Sequence, residues 1–253
     1  AIPEVHVSDV KIQTLLDDTF TKADLVIDTK ATKAGKVKIT LSKAGKELQS
    51  VEETLAEESQ YVMKVENPEL WSAEYDLLLE VMDENGQVTE VIPQRVGFRR
   101  FEMKDSIMML NGKRIVFKGV NRHEFSSVSG RVVSREELIK DLVTMKQNNI
   151  NAIRTCHYPD AVGIYELCDE YGIYMIAECN MESHGSWDIS AEQTGDFSKV
   201  VPCDRPEWMD MMLDRVNSMY QRDKNHPAIL IWSCGNESFG GKVIYEMSQL
   251  YRK

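Results

Sequence analysis

The hydrophobic period of this chain changes near Phe98, and no single layer of structure satisfies both patterns. Before that point apolar and polar residues alternate. Val37, Ile39 and Leu41 fall on one side, and Lys36, Lys38 and Thr40 on the other, which is the period of a half-solvated strand. Similar runs (VHVSDVKIQTLL, ADLVIDTKA, EYDLLLEVM and QVTEVI) are broken by turn signals at Ala44-Gly45-Lys46 and at the hairpin dipeptide Asn85-Gly86. About seven short strands in roughly a hundred residues predict an immunoglobulin-like antiparallel β-sandwich over residues 1–98.

After about Arg100 strands and helices alternate. Ser134 followed by Glu137 reads as a capping box, with Leu138, Leu142 and Met145 at helical spacing behind it. A second helix places Ile164, Leu167, Cys168 and Tyr171 on one face, and Gly172 is positioned to end it. A third helix, opened by Pro206, carries Trp208, Met212, Val216 and Met219. Strands are expected around Val116–Val120, Ala152–Ile153, Ile173–Ala177 and Ala228–Ser233, the last followed by a helix in GKVIYEMSQLYRK. The greasy run Ala228–Trp232 reads as a strand covered on both faces. Four βα units in succession predict the first half of a (β/α)8 barrel over residues 99–253.

Each of these strands ends in polar residues: Asn121–Glu124, Arg154–His157, Glu178–His184 and Asn236-Glu237. A barrel brings its strand tips to one face, so four such tips predict a shared pocket. Taken singly, His123 and His157 read more readily as hydrogen-bonded structural histidines than as ligands, Arg122 and Glu124 as an ion pair below the rim, and Glu178 equally as a brace of the barrel or a substrate contact. His226, between a helix stop and a proline, reads as structural. Glu182 and His184 are two apart in an extended segment and so point the same way. That pair suits a hard, oxygen-preferring cation such as magnesium, with manganese as the alternative that a single histidine leaves open.

Composition removes other classes. A formal charge of -11 and a pI near 5.0 leave no general phosphate-binding surface, so no nucleic-acid partner is expected. No apolar run approaches a membrane span, and AIPEVHVSDV has no signal-peptide pattern, which predicts a cytoplasmic protein without a membrane partner. Cys156, Cys168, Cys179, Cys203 and Cys234 are odd in number and widely spaced, and no CxxC suggests zinc. They read as reduced, mostly buried thiols.

The motifs as a set resemble the bacterial β-galactosidases of glycoside hydrolase family two. The residues that carry the resemblance are Asn67–Ser72, Val96–Arg99, Asn111-Gly112-Lys113, Phe117–Glu124, Arg154–Pro159, Leu167–Gly172, Met181–Gly185 and Arg222–Ser238. The resemblance implies a retaining glycosidase acting on terminal β-D-galactosides such as lactose, with Glu237 as acid/base and Asn236 on the sugar 2-hydroxyl. It also implies His123 and His157 as sugar contacts, and Glu182, His184 and Glu237 as ligands of Mg2+. A cation on Glu237 lowers a pKa that acid catalysis needs raised, a tension the sequence leaves open. The related β-glucuronidases and β-mannosidases are expected to lack this metal pair.

A retaining enzyme needs a second carboxylate about 5 to 5.5 Å from the first. In the family that nucleophile comes later, on a strand not present in this sequence. The resemblance therefore implies an internal fragment of a longer, oligomeric enzyme, inactive by itself. The alternatives are a β-glucuronidase or other family-two glycosidase, a non-catalytic carbohydrate-binding fragment, and a hydrolase activating water on a metal held by Glu182 and His184.

Overall fold

The computed structural model describes residues 2–252, apart from the side chains of Ile189 and Ser190. The chain forms two compact units: residues up to Val116 with Asn225–Pro227, and Phe117–Lys224 with residues from Ala228 onward.

The first unit is a sandwich of two antiparallel sheets. One has the order β1 (Val7–Leu16), β2 (Lys22–Ala31), β5 (Glu58–Glu66). The other runs β4 (Lys46–Leu55), β3 (Gly35–Lys43), β6 (Tyr75–Met82), β7 (Val88–Val96). The alternation in sequence becomes burial here: Val37, Ile39 and Leu41 of β3 and Leu77, Leu79 and Val81 of β6 are all fully buried, facing Leu25, Ile27 and Met63 in one core. Phe98 seats its ring edge-on against Tyr75, 4.9 Å between centroids.

The two hairpin signals resolve differently. Ala44 and Gly45 both have positive φ and close a two-residue turn between paired Lys43 and Lys46. Asn85-Gly86 lies in a five-residue loop, because Met82 pairs with Val88 and the Asp83 carboxylate accepts the Asn85 and Gln87 amides at 2.9 Å each.

A small sheet of β8 (Phe101–Lys104), β9 (Ile107–Leu110) and β10 (Lys113–Arg114) also belongs to this unit. Asn111 fixes it, accepting from the Arg100 amide at 2.9 Å and donating to the Trp71 carbonyl at 3.3 Å. The compact unit therefore runs past the change of sequence pattern. Asn225 joins it through β1, accepting from the Ile12 amide and donating to the Val10 carbonyl, both at 2.9 Å.

The second unit has a parallel sheet in sequential order, β11 (Gly119–Arg122), β12 (Ala152–Thr155), β13 (Tyr174–Glu178) and β14 (Ile229–Ser233). Helices α1 (Arg135–Gln147) and α2 (Val162–Tyr171) follow β11 and β12. After β13 come the helical turn α3 (His184–Trp187) and α4 (Met209–Asp223), and after β14 comes α5 (Lys242–Leu250). These are four βα units of the TIM-barrel kind.

The Ser134 capping box forms, with Ser134 and Glu137 each satisfying the other's backbone amide. Gly172 ends α2 in the left-handed conformation, φ 64°. Pro206 opens a 3-10 turn, and α4 begins three residues later. Ala228, just before β14, and Ile229 and Leu230 within it are buried, but Ile231 and Trp232 only half so, since β14 is an outer strand of the described sheet. That corrects the expectation of cover on both faces along the whole run. Among the described residues no helix is long and apolar enough to cross a membrane.

Candidate active site

The carboxyl ends of β11 to β14 carry two clusters joined by one hydrogen-bond network. The β14 end is shaped by Gly235, φ 146°, where an added Cβ would lie 2.7 Å from the Met181 Cβ and 2.8 Å from its carbonyl oxygen. That close approach lets the Asn236 amide donate to the Met181 carbonyl at 2.9 Å, so the segment after β13 and the segment after β14 run side by side. Glu182 and Asn236 are thereby opposed, and the Asn236 Nδ2 donates to Glu182 Oε2 at 2.5 Å.

Glu237 follows with φ 30°, and its carbonyl accepts from Trp187 Nε1 at 2.8 Å. His184 Nδ1 contacts Glu237 Oε2 directly, and its ring lies 4.6 Å from Trp187. The hydrogen bond to Glu237 raises the His184 pKa above its ordinary value, helped by the nearby charges of Glu237, Asp188 and Glu182. Glu182, His184 and Glu237 can each direct a donor atom to within 4.8 Å of the others. Two carboxylates and one imidazole fit a hard divalent cation. Glu182 and His184 also line a cleft of about 450 Å³ walled by Val201, Pro202 and Trp208.

The second cluster is His123 with His157, their rings edge to face at 5.4 Å. Tyr158 Oη lies 3.2 Å from His123 Nδ1, and Arg131 stacks over the Tyr158 ring at 4.1 Å. His157 is fixed by the fully buried Glu178, whose Oε1 lies 2.6 Å from His157 Nδ1. The other oxygen of Glu178 accepts from Arg154 Nε at 2.6 Å and from Ser233 Oγ at 2.8 Å. Arg154 then donates from Nη2 to Asn236 Oδ1 at 2.8 Å. One chain of polar contacts thus runs from His157 through Glu178, Arg154 and Asn236 to Glu182.

All six residues expected at the site, His123, His157, Glu182, His184, Asn236 and Glu237, fall at these strand ends. Arg154, which connects the two clusters, was not singled out. Its signal was the lone cation of β12, between Ile153 and Thr155. Glu178 resolves as a brace.

The expected Arg122–Glu124 pair does not form. Arg122 instead holds Asp160 at 2.8 Å and Asp141 at 3.1 Å. Both oxygens of Glu124 accept from the Ala161 amide at the start of α2, which has no other side-chain cap. Burial pushes the Asp160 carboxyl up to about 7, against the pull of Arg122.

Two family models together match nearly the whole chain: "Glycosyl hydrolases family 2" matches residues 5–99, and "Glycosyl hydrolases family 2, TIM barrel domain" matches residues 101–253. The chain belongs to glycosyl hydrolase family 2. Among family-2 relatives, the β-galactosidase of Halalkalibacterium halodurans is 45% identical over 99% of this chain and 26% of its own length. That of Streptococcus thermophilus is 46% identical over 100% of the chain and 25% of its length. The chain thus spans about a quarter of these relatives.

Among solved family-2 structures, Ruminococcus gnavus β-glucuronidase in complex with uronic isofagomine superposes with a TM-score of 0.81 at 25% identity, over 98% of this chain and 41% of that one. Bacteroides uniformis β-glucuronidase 3 superposes at 0.80 with 22% identity over 98% of this chain and 32% of that one, a likeness of fold.

Proposed function

We propose that this chain carries the acid/base half of a retaining β-galactosidase. The observation that carries the proposal is the grouping of Glu182, His184, Asn236 and Glu237 at adjoining strand ends, in a chain 45% identical over its length to a β-galactosidase. In this reading Glu237 protonates the glycosidic oxygen as the bond to the leaving group breaks, and then as carboxylate takes a proton from the water that releases the sugar.

Asn236 is oriented by Arg154 at its oxygen and Glu182 at its nitrogen, which leaves one N–H for the sugar 2-hydroxyl. His157, held at Nδ1 by Glu178, presents Nε2 to the sugar, and His123 stands beside it. Glu182, His184 and Glu237 would hold Mg2+, which when bound supplies positive charge that steadies the Glu237 carboxylate. The nucleophilic carboxylate is assigned to the longer parent enzyme, so the isolated chain should show no turnover. The family-2 β-glucuronidases of known structure define the second reading, but their identity to this chain is about 25% against 45%.

The test is Glu237→Gln in the full-length parent enzyme, assayed on lactose and on an aryl galactoside with a good leaving group. Lactose cleavage should fall about 10²- to 10⁴-fold and bond cleavage in the activated substrate far less, because a good leaving group needs little protonation. Equal losses would remove Glu237 from the acid role. Faster hydrolysis of an aryl β-glucuronide than of the galactoside by the unaltered enzyme would select the second reading.

A further inference from the structure

His123, Cys156 and His157 offer an imidazole, a thiol and an imidazole whose donor atoms all lie within 4.8 Å of one another. They share no residue with the Glu182–His184–Glu237 group. We propose that these three side chains form a second metal site, specific for a soft or borderline divalent cation of the zinc type. Ligand chemistry separates the two sites. The carboxylate-rich group suits magnesium, whereas two imidazoles and a thiolate suit zinc and leave magnesium no hard donor.

The second shell fits the same assignment. Metal-bound histidines characteristically hand their other ring nitrogen to a carboxylate or another acceptor, which fixes the ring. Glu178, itself fully buried, takes the Nδ1 of His157 at 2.6 Å, and Tyr158 Oη takes that of His123 at 3.2 Å. Nε2 of each ring is then free to bind a metal. Cys156 is buried and anchored by its amide to the Arg122 carbonyl at 3.1 Å, so closing the set to about 2.0 Å (nitrogen) and 2.3 Å (sulfur) around an ion falls to the exposed His123, whose 3.2 Å contact to Tyr158 is the looser of the two second-shell contacts. Binding forms an Sγ–metal bond as the thiol proton leaves to solvent, and the fourth position is taken by water.

No CxxC spacing announces this site. Its ligands are an adjacent Cys-His pair at the end of β12 and a histidine just past the end of β11, which only the parallel pairing of the two strands brings together. A zinc ion here would occupy both nitrogens proposed to face the sugar and so inhibit the enzyme. That consequence rests on the β-galactosidase reading, but the metal site does not.

The experiment titrates the full-length parent enzyme with Co2+ in excess Mg2+ and follows the near-ultraviolet spectrum, where a thiolate ligand adds a charge-transfer band that carboxylates cannot give. The band should appear, be displaced by Zn2+, and vanish in Cys156→Ser. His123→Gln should weaken binding at least about tenfold. Cys203→Ser, which alters a half-exposed thiol outside the cluster, should leave the band unchanged. No band, a band that survives Cys156→Ser, or one lost in Cys203→Ser overturns the site. A band displaced by zinc without any loss of galactoside cleavage keeps the metal site and sinks the sugar-contact reading.

Discussion

The sandwich unit and the parallel-sheet unit handle charge in opposite ways. Among the described residues, Thr29 is the one buried polar side chain of the sandwich. The parallel unit buries Arg122, Glu124, Ser126, Thr155, Asp160, Asp169, Glu178 and Asp223. Several of the sandwich's ion pairs stand in solvent, as with Lys22–Glu66 and Lys30–Glu58, each joining residues directly opposite on β2 and β5, and none joins two buried side chains among the described residues. A sheet that only has to hold together can leave its charges in water, where they cost little. A sheet that must aim side chains at a ligand has to fix them, and buried ion pairs are a rigid though expensive way to do so.

The largest expected effect tests that contrast at Glu178. Glu178→Gln keeps the shape but removes the fully buried charge facing Arg154 and His157, leaving a half-buried guanidinium short of a counter-ion. Breaking a fully buried pair costs about 3–5 kcal/mol, and the partial exposure of Arg154 puts the expected loss at the lower end of that range. Hydrogen exchange read peptide by peptide should show the loss in β12 and β13, with the sandwich strands unaffected. A loss under about 1 kcal/mol would mean the network is not what holds this unit's strand ends.

The sandwich should respond to packing instead. Ile39 is fully buried in β3, and Ile39→Val removes one methylene from its core. About 0.5–1.5 kcal/mol should be lost, measured as exchange in β3 and β6. No change at all would show that this core is loosely packed, and would blunt the comparison from the other side.

How much of this was legible in the sequence follows the same division. Alternation alone placed the inward face of β3, because period-2 burial is a local property. The capping box at Ser134 and the Gly172 helix end were equally local. Two features were not. The small sheet β8–β10 joins the sandwich unit through Asn111 contacts with Arg100 and Trp71, and nothing in the 101–114 segment states that preference.

The partners of buried charges were the other illegible feature. Arg122 and Glu124 stand two apart and invite pairing. Instead Arg122 finds carboxylates on α1 and in the loop before α2, and Glu124 finds a helix amide. Sequence revealed which residues gather at the strand ends, since those positions follow from the βα repeat. It did not reveal that Arg154 links them, because that depends on how three neighbouring strands are aligned.

The smallest expected effect lies on the sandwich surface. Lys30 Nζ and Glu58 Oε1 are 3.3 Å apart, with 61% and 78% of their side chains exposed. Water screens such a pair, and holding two long side chains in register costs rotamer freedom, so the expected coupling is about 0.2–1 kcal/mol. A double-mutant cycle with Lys30→Ala and Glu58→Ala isolates it, because each single change also alters strand propensity and the cycle subtracts those terms. The coupling should fade in 1 M salt, where the screening length shrinks to about 3 Å, comparable to the pair's own separation. The Glu178 effect should largely persist in the same salt, since ions do not reach its fully buried carboxylate. If the surface pair proved worth 3 kcal/mol, or the buried one faded with salt, burial would no longer be what distinguishes the two units' use of charge.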